Sequence, residues 1–313
     1  MRNSVGFFFC VAMQYTKPPL TFEQQAELLL NRGLVADRDV LISRLETVNY
    51  YRFSGYLYPY RLPDDSFKLG TTLATVWRQY TFDRKLRLLV LDAVERVEVA
   101  LRTRLAYDHA HAHGPFAYRD RRSLPGLSRD AHDAWIAELS KEVSASRERF
   151  VEHFRNKYGN AHTLPPIWIA IELMSFGKTF TFFRGCDPSI QKDISAWIGA
   201  PDRVFFSWLR TINEVRNVCA HHGRLWNRDL GNNPLLPNER KYPDWYHPCR
   251  VTQSKMFGVL TILKFMLKKA APTSKWYERF ASLLAEYPDL PLLWMGFPSN
   301  WMESPLWSGV TDA

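Results

Sequence analysis

The stretch TTLATVWRQYTFDRKLRLLVLDAVERVEVALRTRLAYDHAHAH, Thr71–His113, decides the fold class. It holds no Gly or Pro and is bracketed by Gly70 and Gly114. Leu73, Val76, Trp77 and Tyr80 recur at helical spacing, and so do Leu86, Leu89, Val90, Ala93 and Val97. An acid precedes a base by four residues at Asp83/Arg87, Asp92/Arg96 and Glu98/Arg102, each pair contributing roughly 0.2–0.5 kcal/mol on a helix surface. The spacing predicts one long helix, or two with a bend.

Helical signals continue on both sides. Thr21 with Gln24 reads as a capping box opening a helix that runs to Arg32, with Gly33 as its stop, and Asp37 caps a second helix carrying Leu41, Leu45 and Val48. The Tyr-rich NYYRFSGYLYPYR, Asn49–Arg61, contains Gly55 and Pro59 and is read as a turn or loop. Its rings, with Arg52 and Arg61 between them, are expected to pack rather than to stack bases. Further helices are expected over 128–157, 166–176, 189–198, 202–222, 251–269 and 273–286, with Asp202 as an N-cap and Gly177 and Gly223 as helix ends. Strand alternation is scarce. The prediction is an all-α protein divided into a non-conforming leader (1–16), an N-terminal helical and Tyr-rich segment (17–70), a helical core (71–230), and an ordered loop with C-terminal helices packed on that core (231–313).

Composition narrows the class. Hydrophobic residues make up 46% of the 313 and aromatics 14%, which excludes disordered and collagen-like chains. Lys and Arg number 41 against 32 Asp and Glu, a net +9 that suits a polyanionic partner. Cys10, Cys186, Cys219 and Cys249 form no CxxC pair, which argues against a disulfide framework and against zinc, and favours a reducing cytoplasm. The apolar run Val5–Met13 is far short of the roughly 20 residues of a membrane span. It also makes a poor signal peptide, so translation starting at Met13 rather than Met1 would remove it. His109, His111 and His113 point in different directions on a helix and lack a completing ligand; a frayed helix end is expected there, and no metal. Lys264, Lys268 and Lys269 are read as a solvated helix face, and Cys219 as a small buried hydrophobe.

The helix from Asp202 to His222 carries the chemistry. At ~100° per residue, Phe205, Trp208, Leu209, Ile212, Val215 and Cys219 form one apolar arc, with Arg210, Glu214, Asn217 and His221 opposite. Arg216 falls inside the apolar arc. A lone guanidinium in a core is severely unfavourable, so Arg216 must pair with a carboxylate, snorkel, or face a cleft or subunit interface that supplies an anion. Asn217 and His221 share a face, and His221 and His222 occupy the last turn, where the carboxyl end of the helix dipole stabilises an imidazolium. Arg224 and Arg228 add positive charge just beyond.

Arg216-Asn217-Val218-Cys219-Ala220-His221 reads R-N-x-x-x-H, which resembles the signature of HEPN-superfamily ribonucleases. Together with KPPLTFEQQAELLLNRGL (17–34), NYYRFSGYLYPYR, FDRKLRLLVLDAVERVEVALRTRLAY (82–107), PPIWIAIELMSFG (165–177) and RNVCAHHGRLWNR (216–228), it resembles the Abi family of abortive-infection proteins, of the AbiD/AbiF type, from about Lys17 to Arg228. The resemblance implies a HEPN-like helical bundle with an N-terminal helical extension and metal-independent cleavage of single-stranded RNA, without a cofactor. With one motif per chain, it implies a homodimer whose protomers share a composite site. His221 would act as acid and base, Arg216 as phosphate clamp and Asn217 as an orienting group, with His222 and Arg224 accessory and Arg210, Arg224 and Arg228 binding RNA. Attack of a 2′-OH on its own phosphate would leave a 2′,3′-cyclic phosphate and a 5′-OH. An antitoxin RNA or protein would restrain the activity, and no membrane is involved. Two rivals remain open at this stage: a non-catalytic RNA-binding module holding a structured or antitoxin RNA, and a helical scaffold using Arg216 at a dimer interface.

Overall fold

The computed structural model describes residues 14–308, so Cys10 and most of the expected leader, with Met13, lie outside the described residues. Among the described residues there are twelve α-helices, several short 3-10 turns and no strand, so the all-α expectation holds. The only β pairing among them is two isolated bridges, Val35 with Thr72 and Arg61 with Phe67. No helix among them is long and apolar enough to cross a membrane. The chain separates into two compact units, the first ending at Tyr80 and the second running from Thr81.

In the first unit, α1 (Phe22–Asn31) opens with both halves of the capping box between Thr21 and Gln24, and Gly33 takes φ 93° just beyond its end. Asp37 caps α2 (Arg38–Thr47), and the two helices pack together, each with a buried stripe that includes Ala26 and Leu29 or Leu41 and Leu45. The Tyr-rich segment is a helix, α3 (Tyr50–Leu57), followed by a 3-10 turn, rather than the expected loop. Asn49 caps it, and Phe53, Tyr56 and Leu57 bury at i, i+3 and i+4, which offsets the cost of Gly55 in the helix. Tyr56 meets Tyr80 edge-on at 5.5 Å, and Arg44 lies 4.4 Å over the Trp77 ring.

The long helix α4 (Leu73–His113) is uninterrupted, and the unit division falls inside it. In the second unit α4 carries a buried stripe of Phe82, Leu86, Val90, Ala93, Val94, Val97, Leu101 and Leu105. His109 extends that stripe; it is fully buried and packs 5.0 Å from the Phe182 ring, so the expected frayed end is helical to His113, with His109 in the core and His111 and His113 exposed. Burial pushes its imidazole down to about 4. Among the described residues no group of side chains is arranged to hold a metal ion.

The expected helix over 128–157 is two, α5 (Arg129–Ala145) and α6 (Arg149–Tyr158), because Ser146 turns to an extended conformation. The segment after Pro166 is the short α7 (Ile167–Ala170) and a 3-10 turn. Gly177 does not end a helix there. It lies inside α8 (Phe176–Gly185), capped by Ser175, where an added Cβ would meet the Asn213 and Ser175 side chains at ordinary contact distance. Next come α9 (Pro188–Ile198), closed by Gly199 at φ 88°, and α10 (Asp202–Ala220). Pro201, not Asp202, is the N-cap of α10, so Asp202 instead places its charge in the first turn. α10 packs against α8, α9 and α11 (Met256–Ala270). α12 (Trp276–Glu286) lies along α4, where Trp276 Nε1 donates to Leu89 O at 2.8 Å and Arg279 pairs with Asp92 at 2.6 Å. Lys264 is not on a solvated face: it is 6% exposed, donates to Leu306 O at 2.6 Å and lies 4.8 Å from the Tyr277 ring.

Candidate functional site

α10 is built to present its C-terminal end. Phe205, Trp208, Leu209, Ile212, Val215 and Cys219 are all buried, as the arc requires. Burial raises the Cys219 thiol to about 12, which makes it inert as a nucleophile. The helix closes in a Schellman motif: Gly223 N donates to Val218 O at 2.7 Å and His222 N to Cys219 O at 3.0 Å. His221 is the C-cap, and the left-handed position, φ 57°, is filled by His222. That position ordinarily falls to glycine, and another residue there costs roughly 1–2 kcal/mol. Gly223 is required for a different reason, since a Cβ on it would come within 2.9 Å of Val218 Cγ1 and 3.1 Å of Val218 O.

The turn is fixed from below by a buried ion pair. Asp83 on α4 is fully buried and accepts from Leu225 N at 3.0 Å and Trp226 N at 2.7 Å, and Arg87, 6% exposed, pairs with it. Arg87 also reaches Gly223 O at 3.5 Å. These two residues, which the spacing rule makes an ordinary surface pair, anchor the chain leaving α10. Glu214 performs a similar task one turn earlier. Its carboxylate accepts from Gly231 N and Asn232 N, both at 3.0 Å, and from Asn232 Nδ2 at 2.7 Å. Trp208 Nε1 donates to Leu235 O at 2.8 Å, and its ring stacks on Trp245 at 5.0 Å. The long segment after Gly223 is thereby bonded to α10 at Gly231, Asn232 and Leu235 and stacked on it at Trp245.

Arg216 is half-buried rather than buried. Its Nη1 donates to Asn217 Oδ1 at 3.4 Å, and among the described residues no carboxylate lies within ion-pair distance of it. The acid whose field it feels is Glu98 on α4. Burial pushes the Glu98 carboxyl up from its ordinary value, opposed by the charges of Arg102 and Arg216. Arg102 donates both to Glu98 and to Met174 O, the carbonyl just before α8. Glu98 and Arg102 were also expected to be a surface pair; with side chains 11% and 16% exposed they instead form a partly buried network beside Arg216.

The remaining sequence-predicted residues are placed as follows. Asn217, His221, His222 and Arg210 are exposed, while Arg224 and Arg228 are half-buried, with Arg228 Nη1 reaching Arg224 O at 3.5 Å. Among the described residues no hydrogen bond joins Arg216 to His221. Asn217 orients the guanidinium rather than the imidazole. The structure therefore gathers Arg216, Asn217, His221, His222 and Arg224 on one helix end and leaves Arg210 further up α10. Asp83, Arg87, Glu98 and Glu214 are the residues that sequence reasoning missed. Three of them carry the signal that singled out Arg216: a charge falling in or beside the apolar stripe of a helix.

Such an arrangement can grip an anion with Arg216 and move a proton through His221. Comparison with known proteins follows the same region: the family model described as Abi-like protein matches residues 43–227, more than half of the chain. No curated protein matches the chain, and no solved structure does.

Proposed function

The chain belongs to the Abi-like protein family, and from that premise we propose that it is an abortive-infection ribonuclease of the AbiD/AbiF type, HEPN-like in its catalytic unit and acting in the cytoplasm. The observation that carries this reading is the state of the helix end. Arg216 is held by Asn217 but among the described residues is paired with no carboxylate, and His221 is exposed in the adjacent turn. A half-buried guanidinium with no ion-paired carboxylate is open to an anion.

The chemistry follows from what an RNA phosphate needs. A neutral His221 takes the proton of the 2′-OH, whose oxygen attacks the adjacent phosphorus. An imidazolium returns a proton to the departing 5′ oxygen. Arg216 offsets the charge that develops on the pentavalent phosphorane. Arg216 and His221 are ~140° apart on an ideal helix, so two protomers supply the converging groups: the arginine of one and the histidine of the other, across a two-fold axis. His222 fits an accessory role, since a left-handed histidine where glycine costs less marks a position kept for its side chain. Arg224, Arg228 and Arg210 extend the positive surface for RNA, and an antitoxin RNA or protein would bind the same surface.

The test is incubation of the purified protein with a single-stranded RNA and with DNA of the same sequence, in EDTA. RNA alone should be cut, since DNA lacks the attacking hydroxyl. Cleavage of both strands, or a strict metal requirement, would overturn the mechanism. Salt-dependent RNA binding with no product would leave the RNA-binding module as the correct reading.

A further inference from the structure

A second basic site lies in the second unit, on the segment that joins α4 to α5. A cleft of about 520 Å³ is lined by Arg119, Asp120, Arg121, Arg129, His132 and Asp133. We propose that this cleft binds the ribose-phosphate backbone of RNA. The proposal rests on the RNA reading above.

The walls are rigid. Two consecutive 3-10 turns, Ala117–Arg119 and Arg121–Ser123, form one side, stapled by Ser123 Oγ, which bonds to Ala117 O at 2.7 Å and Asp120 O at 3.0 Å. Tyr118 is fully buried beneath them and donates to Pro165 O at 2.5 Å. The first turn of α5 forms the other side. His132 lies 4% exposed at the cleft and donates from Nε2 to Tyr118 O at 3.0 Å. Since a carbonyl only accepts, that bond fixes a proton on Nε2, and Nδ1 lies 3.7 Å from Asp133 Oδ1.

The charges select the ligand. Among the described residues Arg119 and Arg121 have no ion pair, and Arg129 reaches Asp133 only at 3.9 Å. Asp120 is already engaged by Arg122, whose Nε donates to it at 2.8 Å, and this bond with the Arg122 amide holds its carboxyl down to about 2. Three guanidiniums on two walls exclude a metal ion. A lining without an aliphatic side chain excludes an apolar ligand, and its one ring, His132, is 4% exposed and offers little platform for a base. Guanidinium forks match phosphate oxygens, and three of them spread across this volume suit successive phosphates rather than one. The Asp133 carboxylate in the same lining presents an acceptor, which is what a ribose 2′-OH requires and what a DNA backbone does not use.

The experiment uses the full chain carrying His221→Ala, so that RNA is not consumed, with and without Arg119→Ala, Arg121→Ala and Arg129→Ala together. These three side chains are exposed, so their loss leaves the core untouched. Binding of a fluorescent single-stranded 12-mer RNA, and of the same DNA sequence, is titrated against salt. The triple substitution should raise Kd for RNA at least tenfold and lower the slope of log K against log salt by about 2, three phosphates at roughly 0.7 each. The loss should be smaller for DNA. On the wild-type background the triple substitution should leave cleavage of a dinucleoside monophosphate unchanged, because its single phosphate is the scissile one. Unchanged RNA affinity and salt slope in the triple variant would overturn the cleft, whatever the protein cleaves. An equal loss for DNA would overturn its assignment to RNA. Binding that depends on the cleft in a wild-type protein that cuts nothing would uphold the cleft and remove the ribonuclease reading.

Discussion

Replacing Asp83 with Ala should damage the molecule more than any surface change. Asp83 is fully buried, neutralises Arg87 and accepts from the backbone N–H groups of Leu225 and Trp226. Its removal takes from Arg87, which is 6% exposed, the carboxylate it pairs with, and breaking a buried pair costs about 3–5 kcal/mol. The two orphaned amides would cost about 1–3 kcal/mol each if they stayed dry, and water entering the turn limits the total to the lower part of the summed range. A loss of about 5 kcal/mol corresponds to a fall in unfolding temperature of roughly 10–20 °C for a unit of this size. Thermal unfolding followed by circular dichroism measures it, with Asp39→Ala, whose side chain is 92% exposed, as the control at about 0.5 kcal/mol or less. Arg87→Met combined with Asp83→Ala removes both charges of the pair and should recover at least about 1.5 kcal/mol relative to additivity. Additive single and double variants, or Asp83→Ala within about 0.5 kcal/mol of wild type, would refute the anchor.

Other consequences can be checked together. Gly223→Ala forces a Cβ against Val218 and should cost about 1–3 kcal/mol, and Val218→Ala, which removes the nearer Cγ1, should restore part of that loss in the same unfolding assay. Lys264 is held down to about 8, chiefly by burial, against 10.5 when unfolded. The unfolded chain therefore binds more protons between those values, and stability contributed by this group rises with pH across that window by about 3 kcal/mol. Lys264→Met should abolish that rise, and denaturant midpoints at pH 7.5 and 10 for both proteins decide it. Cys186, Cys219 and Cys249 are buried, with thiols raised by burial, so a thiol reagent should label none of them in the native protein and all three after unfolding.

Long-range order was legible wherever local chemistry dictates it. The absence of Gly and Pro over Thr71–His113 predicts α4, and Thr21/Gln24 and Asp37 predict the starts of α1 and α2, because a helix start is a matter of a few adjacent donors and acceptors. Glycine misled twice, at Gly55 and Gly177, because tertiary burial of Phe53, Tyr56, Phe182 and Phe183 outweighs a propensity cost of about 1 kcal/mol. α8 escaped notice since its Thr and Phe content is that of a strand. At the site, Arg216 and His221 stand out through their spacing. Asp83 and Glu98 did not, because an i,i+4 pair has the same sequence whether it faces water or a core. Their place beside the apolar stripe of α4 is the one sequence signal, and the partners across the fold, Leu225 and Trp226 for Asp83 and Arg216 for Glu98, show what it means.

The claim on which the rest depends is that His221 moves the proton in RNA cleavage. Wild-type and His221→Ala proteins expressed in bacteria, with the ends of cellular RNA sequenced, test it directly. Growth arrest and new 2′,3′-cyclic phosphate and 5′-OH ends for wild type alone are the predicted result. The same ends at the same abundance from a folded His221→Ala protein would contradict the account.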